Sequence, residues 1–326
     1  MQGSGWRPGL IVIILALCLV PFVQAASGPS HAWHDLRGTF QDEWKYQDNL
    51  TAYGKVLVLE PDSAAAWQGK GDALLWFGRY PEALAAYNRS LALDPGSATA
   101  WAGKGGTLVL YSRPDEALDA FNRSLALDPD SVDAWSGKGL ALMRIERYNE
   151  SLDAYDRAIA LDPENPKLWL WKGWSYTWDN RTEEGFAACN HALALDPHSR
   201  DALYCRAILM SFLNYPVEES RAVMYEALSV DPGYSDGWFG LGYLMKSSGF
   251  GPEMRAYDKA LVMDPDNTRA WRAKADLYDW VNMTPEAYAA AYRMLAIDPN
   301  SASAKYKIGS MNEKYGLDYP LNLTAS

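Results

Sequence analysis

Through most of this chain, apolar residues recur every three to four positions, in runs of about a dozen broken by short polar turns. In the clearest stretch, Ala64 to Phe77 reads as one amphipathic helix and Gly78-Arg79-Tyr80 as a turn. Ala83, Leu84, Tyr87 and Leu91 then form the apolar stripe of a second helix. Ser63, Ser97, Ser131, Ser199 and Ser301 each stand just ahead of such a run, where an N-cap is wanted, and Asn165 and Asn267 take that place in two more. Pro166 suits a first helical position, and Pro81, Pro114 and Pro285 open second helices, where a missing N–H costs nothing. Glu82, Asp115, Glu116 and Glu286 favour the same helix ends electrostatically. Each second helix stops at an acidic residue followed by proline, because proline disfavours helical backbone in the residue before it.

The turns keep time. Asp-Pro falls at Asp94, Asp128, Asp162, Asp196, Asp231, Asp264 and Asp298, with Glu60-Pro61 ahead of them, in steps of 34, 34, 34, 34, 35, 33 and 34 residues. Tryptophan keeps the same beat at Trp33, Trp67, Trp101, Trp135, Trp169, Trp238 and Trp271, with Leu203 in the missing slot. Gly71, Gly105, Gly139, Gly173 and Gly242 each follow four residues after a Trp. Chance does not produce such a period, which is the mark of a repeat array.

These positions resemble the tetratricopeptide repeat family. Its pattern runs Trp, Gly, a large apolar residue, a small residue, an aromatic, another small residue, then Pro. The second unit supplies Trp67, Gly71, Leu74, Ala83, Tyr87, Ser90 and Pro95. The third supplies Trp101, Gly105, Leu108, Ala117, Phe121, Ser124 and Pro129, and the fourth Trp135, Gly139, Leu142, Ser151, Tyr155, Ala158 and Pro163. The resemblance implies an all-α, right-handed superhelical solenoid of stacked antiparallel helix pairs over residues 26–317. It would hold about eight repeats and a closing helix at Ala302 to Tyr315, before a short tail at 318–326. The first repeat is degenerate, with Arg37 at the glycine position, and the sixth lacks both Trp and Gly, Ala207 filling the latter.

Ahead of the repeats, Arg7 precedes an apolar run from Leu10 to Val20 closed by Pro21, and Val23-Gln24-Ala25 fits cleavage after a small residue. Residues 1–25 therefore read as a secretory signal peptide, and the chain as exported, secreted or on the outer face of the cell envelope. The alternative is an uncleaved anchor that would hold the protein near a membrane, although the run is short for a span. Thirty Lys and Arg against 41 Asp and Glu give a net charge of −11. That argues against nucleic-acid binding, which needs a basic face.

Chemistry is sparse. Of four histidines, His31 and His34 are three apart with nothing nearby to complete a zinc set, and His191 and His198 flank a repeat junction. The sequence carries no nucleophile elbow, His-Glu-x-x-His or dinucleotide fingerprint, and "Gly-Lys-Gly" here is repeat register and not a phosphate loop. No enzymatic activity, cofactor or metal is expected. Cys189 occupies the aromatic slot of a second helix, and Cys205 the slot held elsewhere by Gly69, Gly103 and Gly137. These slots read as facing different interfaces, which argues against a disulfide between them. Asn-x-Ser/Thr triplets occur at Asn49, Asn88, Asn122, Asn149, Asn180, Asn282 and Asn322, more than chance predicts, and read as glycosylation sites of a surface glycoprotein.

In the resembled family, first helices line a concave groove that holds peptide segments or partner domains. One first helix here is crowded with indoles: Trp171, Trp174 and Trp178 follow i, i+3, i+7 spacing. Tyr204, Phe212, Phe239 and Tyr243 fall on the same stripe of neighbouring units. These seven residues are the expected partner-binding patch, for a protein or peptide or, in the alternative reading, for the sugar rings of a surface glycan. Packing of the same rings against adjacent first helices is the competing expectation.

Overall fold

The computed structural model describes the backbone of residues 40–246 and 249–320, and side chains from residue 48 onward within those limits. The signal-peptide segment 1–25, Trp33, Asn322 and the last part of the tail lie outside the described residues. The described residues are organised as two units, 40–214 and 215–320. Every element described in both is a helix.

The first unit contains α1 (Phe40–Leu59), α2 (Ala64–Trp76), α3 (Tyr80–Leu93), α4 (Ala98–Leu110), α5 (Pro114–Leu127), α6 (Val132–Arg144), α7 (Tyr148–Leu161), α8 (Pro166–Trp178), α9 (Thr182–Leu195) and α10 (Arg200–Phe212). Helices α2 to α9 form four antiparallel pairs of identical design, and each pair packs on the next. The side chains of Ser63, Ser97, Ser131 and Ser199 accept hydrogen bonds from the N–H three residues on, and Asn165 accepts from that of Lys167, as capping requires. First helices end in a left-handed residue, Gly78, Ser112, Glu146, Asn180 or Asn214, with φ between 59° and 68°. The start of the array departs from the repeat: α1 is continuous through residues 44–46, where the register of the Gly78 turn would break it.

Two periodic contacts hold the pairs. Each repeat tryptophan is a latch on the preceding turn: the indole N–H of Trp67, Trp101, Trp135 and Trp169 donates to the carbonyl of Pro61, Pro95, Pro129 and Pro163 at 2.8–3.0 Å. A half-buried indole needs a partner for its N–H, and the turn presents a carbonyl six residues back. Lys70, Lys104, Lys138 and Lys172 then lay their ammonium groups 5.0–5.4 Å from the same rings, so the lysine beside the glycine slot caps the indole face.

The second contact is a knob and two holes. The buried Tyr87 ring of α3 lies against Gly71 of α2 and Gly103 of α4, where an added Cβ would come within 3.0 and 2.7 Å of it. Phe121 meets Gly105 and Tyr155 meets Gly139 in the same way, at 2.8 and 2.9 Å. A ring on the second helix is wide enough to touch the glycine of its own pair and that of the next. The two slots thus belong to one junction.

This overturns the expectation for the cysteines. Cys189 lies against Gly173, a Cβ there meeting its Sγ at 2.8 Å, and is bonded to Cys205 of α10, with Cα atoms 6.4 Å apart. The bond spans 16 residues, the same separation as Tyr87 and Gly103, because it fills that knob-and-hole position.

The second unit contains α11 (Val217–Val230), α12 (Ser235–Leu244), α13 (Phe250–Met263), α14 (Thr268–Trp280), α15 (Thr284–Ile297) and α16 (Ala302–Tyr315). Trp238 and Trp271 repeat the latch, donating to Pro232 and Pro265 at 2.9 and 2.8 Å, and Tyr257 is the knob facing Gly242. Helix α16 closes the unit, burying Ile308 and Met311 against Ala287, Tyr288, Ala291, Met294 and Leu295 of α15. Residues 317–320 fold back after left-handed Gly316. Asn312 donates to the Tyr319 carbonyl at 2.8 Å, Tyr292 donates to that of Pro320 at 2.9 Å, and the Tyr319 ring lies 4.2 Å from that of Tyr288.

Candidate binding surface

The expected patch is divided between the two units, and each part is taken by itself. In the first unit, Trp174 is 3% exposed and Tyr204 6%, with ring centroids 6.2 Å apart on α8 and α10. These two are packed between neighbouring first helices and not displayed, which corrects the expectation for them. The physical reason is spacing: first helices of successive repeats approach closely enough for large side chains at mid-helix to interdigitate, and Ile208 is buried likewise. Trp171 stands at the register of Gly69, Gly103 and Cys205, the position that meets the preceding second helix, and is half-buried.

Trp178 and Phe212 are half-buried as well. They share a register with Trp76 and Trp280. Trp76, Leu110, Arg144, Trp178 and Phe212 are the last residues of α2, α4, α6, α8 and α10, 34 positions apart. The helix ends form this row because all five first helices have the same length of 13 residues and start from a side-chain cap at the same register, Ser in four and Asn165 in α8. Leu75, Val109, Met143 and Thr177, each just before a member of the row in sequence, are buried. Burial holds the Arg144 guanidinium below its ordinary pKa, an effect offset in part by Tyr155 and Tyr80. The row itself holds four apolar side chains and one cation, and no catalytic constellation among them. Among the described residues, no group of three His, Cys, Asp or Glu side chains could hold a metal ion. None of their helices is long and apolar enough to cross a membrane.

In the second unit, Phe239 stacks 6.0 Å from the knob Tyr257 and packs on Ala260 and Leu261, so it serves the core. Arg269 lies 5.4 Å from the Phe239 ring and is ion-paired with Asp236. Tyr243 is half-buried, with Lys246 at 4.6 Å from its ring. Trp280, the last residue of α14, is 71% exposed.

The asparagine triplets acquire architectural reasons. Asn88, Asn122, Asn149, Asn180 and Asn282 are exposed and Asn49 is half-buried. Yet Ser90, Ser124 and Ser151, which complete three of the triplets, are buried and donate to the carbonyls of Ala64, Ala98 and Gly139 at 2.8–2.9 Å. Asn180 and Asn282 hold the left-handed turn positions that asparagine tolerates. The excess of triplets follows from the fold in these five cases.

A family model described as tetratricopeptide repeat matches residues 45–98, 111–166 and 138–200. No curated protein sequence matches the chain. Among solved structures, it is similar to a chain of the APC/C hetero-tetramer Cut9-Hcn1, at 17% identity and TM-score 0.59, covering 94% of this chain and 57% of that one. It is similar to yeast Tom70 at 14% and 0.64, covering 83% and 59%. A tetratricopeptide repeat protein from Parabacteroides merdae gives 13% and 0.63, covering 76% and 98%. The chain thus spans less than two thirds of the first two, and at these identities the likeness shows the fold alone. The 34-residue beat, the helix pairs that it encodes and the family match place this chain in the tetratricopeptide repeat family.

Proposed function

We propose that the chain is a non-catalytic, exported scaffold that takes a protein or peptide partner on the edge formed by its first-helix ends. The observation that carries this reading is the row Trp76, Leu110, Arg144, Trp178 and Phe212. Three of the five, Trp76, Trp178 and Phe212, are aromatic and half-buried, and large rings at one register of the repeat suit anchoring of apolar or proline-rich side chains. The apolar side chains of the row favour peptide side chains over sugar rings, which need polar neighbours to hold their hydroxyls. Export is supported by the charged, apolar and small-residue order of residues 1–25 and by the Cys189–Cys205 bond, since disulfides persist in oxidising compartments. Assembly with another protein also fits the neighbour solved as the Cut9-Hcn1 hetero-tetramer.

The test is to pan a displayed peptide library on the full chain and measure the affinity of selected peptides. The double substitution W178A/F212A is expected to weaken binding at least about tenfold with the helical CD signal retained. Leu127→Ala, on an exposed second-helix position, should leave binding unchanged. Loss of binding with L127A and none with W178A/F212A would place the site on the opposite face and end the proposal.

A further inference from the structure

Every other junction of the first unit with a described glycine hole is sealed by a ring. Tyr53 faces Gly69, Tyr87 faces Gly71 and Gly103, and Phe121 and Tyr155 face Gly105 and Gly139. Two junctions depart: at α7 and α8 Trp171 takes the glycine's register, and at α9 and α10 both positions change, with Cys189 at the ring's register and Cys205 at the glycine's, both 0% exposed. The latter junction lacks a second fastening. Leu203 stands where the latch tryptophan would be, so no indole N–H reaches back to Pro197. Ala207 replaces the second glycine as well. Helix α10 is thus the first helix of the unit that has lost both periodic contacts, and it carries the covalent bond.

We infer that the Cys189–Cys205 disulfide is a redox-dependent fastening that replaces the missing ring and latch, so that the ordering of α10 depends on whether the chain folds in oxidising or reducing surroundings. Closing the bond oxidises two thiols, removing two protons and two electrons, which a small disulfide of the glutathione class accepts by thiol exchange as it becomes two thiols. A dithiol reverses the reaction and closes into its own cyclic disulfide. Burial of both sulfurs means that exchange happens before α9 and α10 pack or during their local opening. The fastening is set at folding and does not respond quickly in the finished protein. The consequence reaches the aromatic row: α10 holds Tyr204 against Trp174 and carries Phe212 at its end.

The experiment refolds the full chain with glutathione disulfide or with excess dithiothreitol and follows amide hydrogen exchange by mass spectrometry. Closing a loop of this size is expected to slow opening of α10 on the order of 100-fold. Peptides from α10 should therefore lose that much protection in the dithiol, while α4 to α7 are unchanged. The deciding variant is Cys189→Tyr with Cys205→Gly, which restores the ring and hole of the Tyr87 junction. It should fold, and its α10 protection should be indifferent to dithiothreitol. If the reduced wild-type chain fails to fold at all while this variant folds, the inference stands. Equal α10 protection in both refolded wild-type samples would overturn it, and so would failure of the variant to fold.

Discussion

Between the second and third repeats, the ring of Tyr87 is buried against glycines on both sides, and its hydroxyl donates to Asp72 at 2.5 Å. At the C-terminal end, the register of Tyr87 belongs to buried Ala291 and that of Gly103 to Lys307. There the Lys307 ammonium pairs with Asp276 and Asp279 at 2.7 and 2.9 Å, Lys314 reaches Asp279 at 2.6 Å, and the Tyr315 hydroxyl donates to Asp279 at 2.7 Å. An interior junction has protein on both sides and is filled with a ring. The closing helix shows one face to water, so part of its fastening is ionic and the knob shrinks to a methyl group. Burial raises the Asp279 carboxyl, but hydrogen bonds from Lys314, Tyr315 and Lys307 outweigh it and bring the pKa to about 2.

The contrast predicts a graded set of losses. Tyr87→Ala empties a fully buried site between three helices and should cost about 3–5 kcal/mol in urea unfolding. A loss below about 1 kcal/mol would mean that the interior junction is not held by its ring. Asp279→Asn should cost less, on the order of 2 kcal/mol, and its effect should depend on pH. The folded-state pKa lies below that of the unfolded chain. The stabilisation is therefore present above about pH 4 and is lost as pH falls through about 2. Wild-type melting temperatures should fall over that window, with a shallower fall in D279N. Identical pH profiles would show that the ionic closure contributes nothing.

Trp101→Phe keeps the ring and the Lys104 contact but removes the hydrogen bond to Pro95, and should cost about 1 kcal/mol. The same change in two repeats should add, as expected of contacts confined to separate turns. At the low end, Arg147→Ala breaks only an exposed bidentate pair with Glu150. No change in melting temperature is expected. A measurable drop would show that the periodic Arg–Glu pairs matter more than the comparison allows.

Much of this fold was legible in the residues. Helix starts at Ser63, Ser97, Ser131, Ser199, Ser301, Asn165 and Asn267, stops at Asp-Pro, and the pairing of helices all follow from local chemistry repeated at 34 residues. Local rules apply there because caps and turns involve neighbours in the chain. The latch was half legible: Trp and Pro each keep the beat, but only the folded turn shows that the carbonyl six residues back faces the indole. The site was the least legible part. Trp174 and Trp178 look equivalent on a helical wheel, yet one is buried against Tyr204 and the other lies half-open at the helix end.

What the sequence determined by itself is the repeat: its period, its two helices, its caps and the family. What only the tertiary structure decided is how residues far apart in register meet. It brought Cys189 to Cys205, took Trp174 and Tyr204 off the surface, lined up the helix-end row and folded residues 317–320 back onto the closing helices. These outcomes depend on the distance between stacked helices. That distance is set by the summed volume of side chains from two or three elements, a quantity that no single stretch of sequence contains.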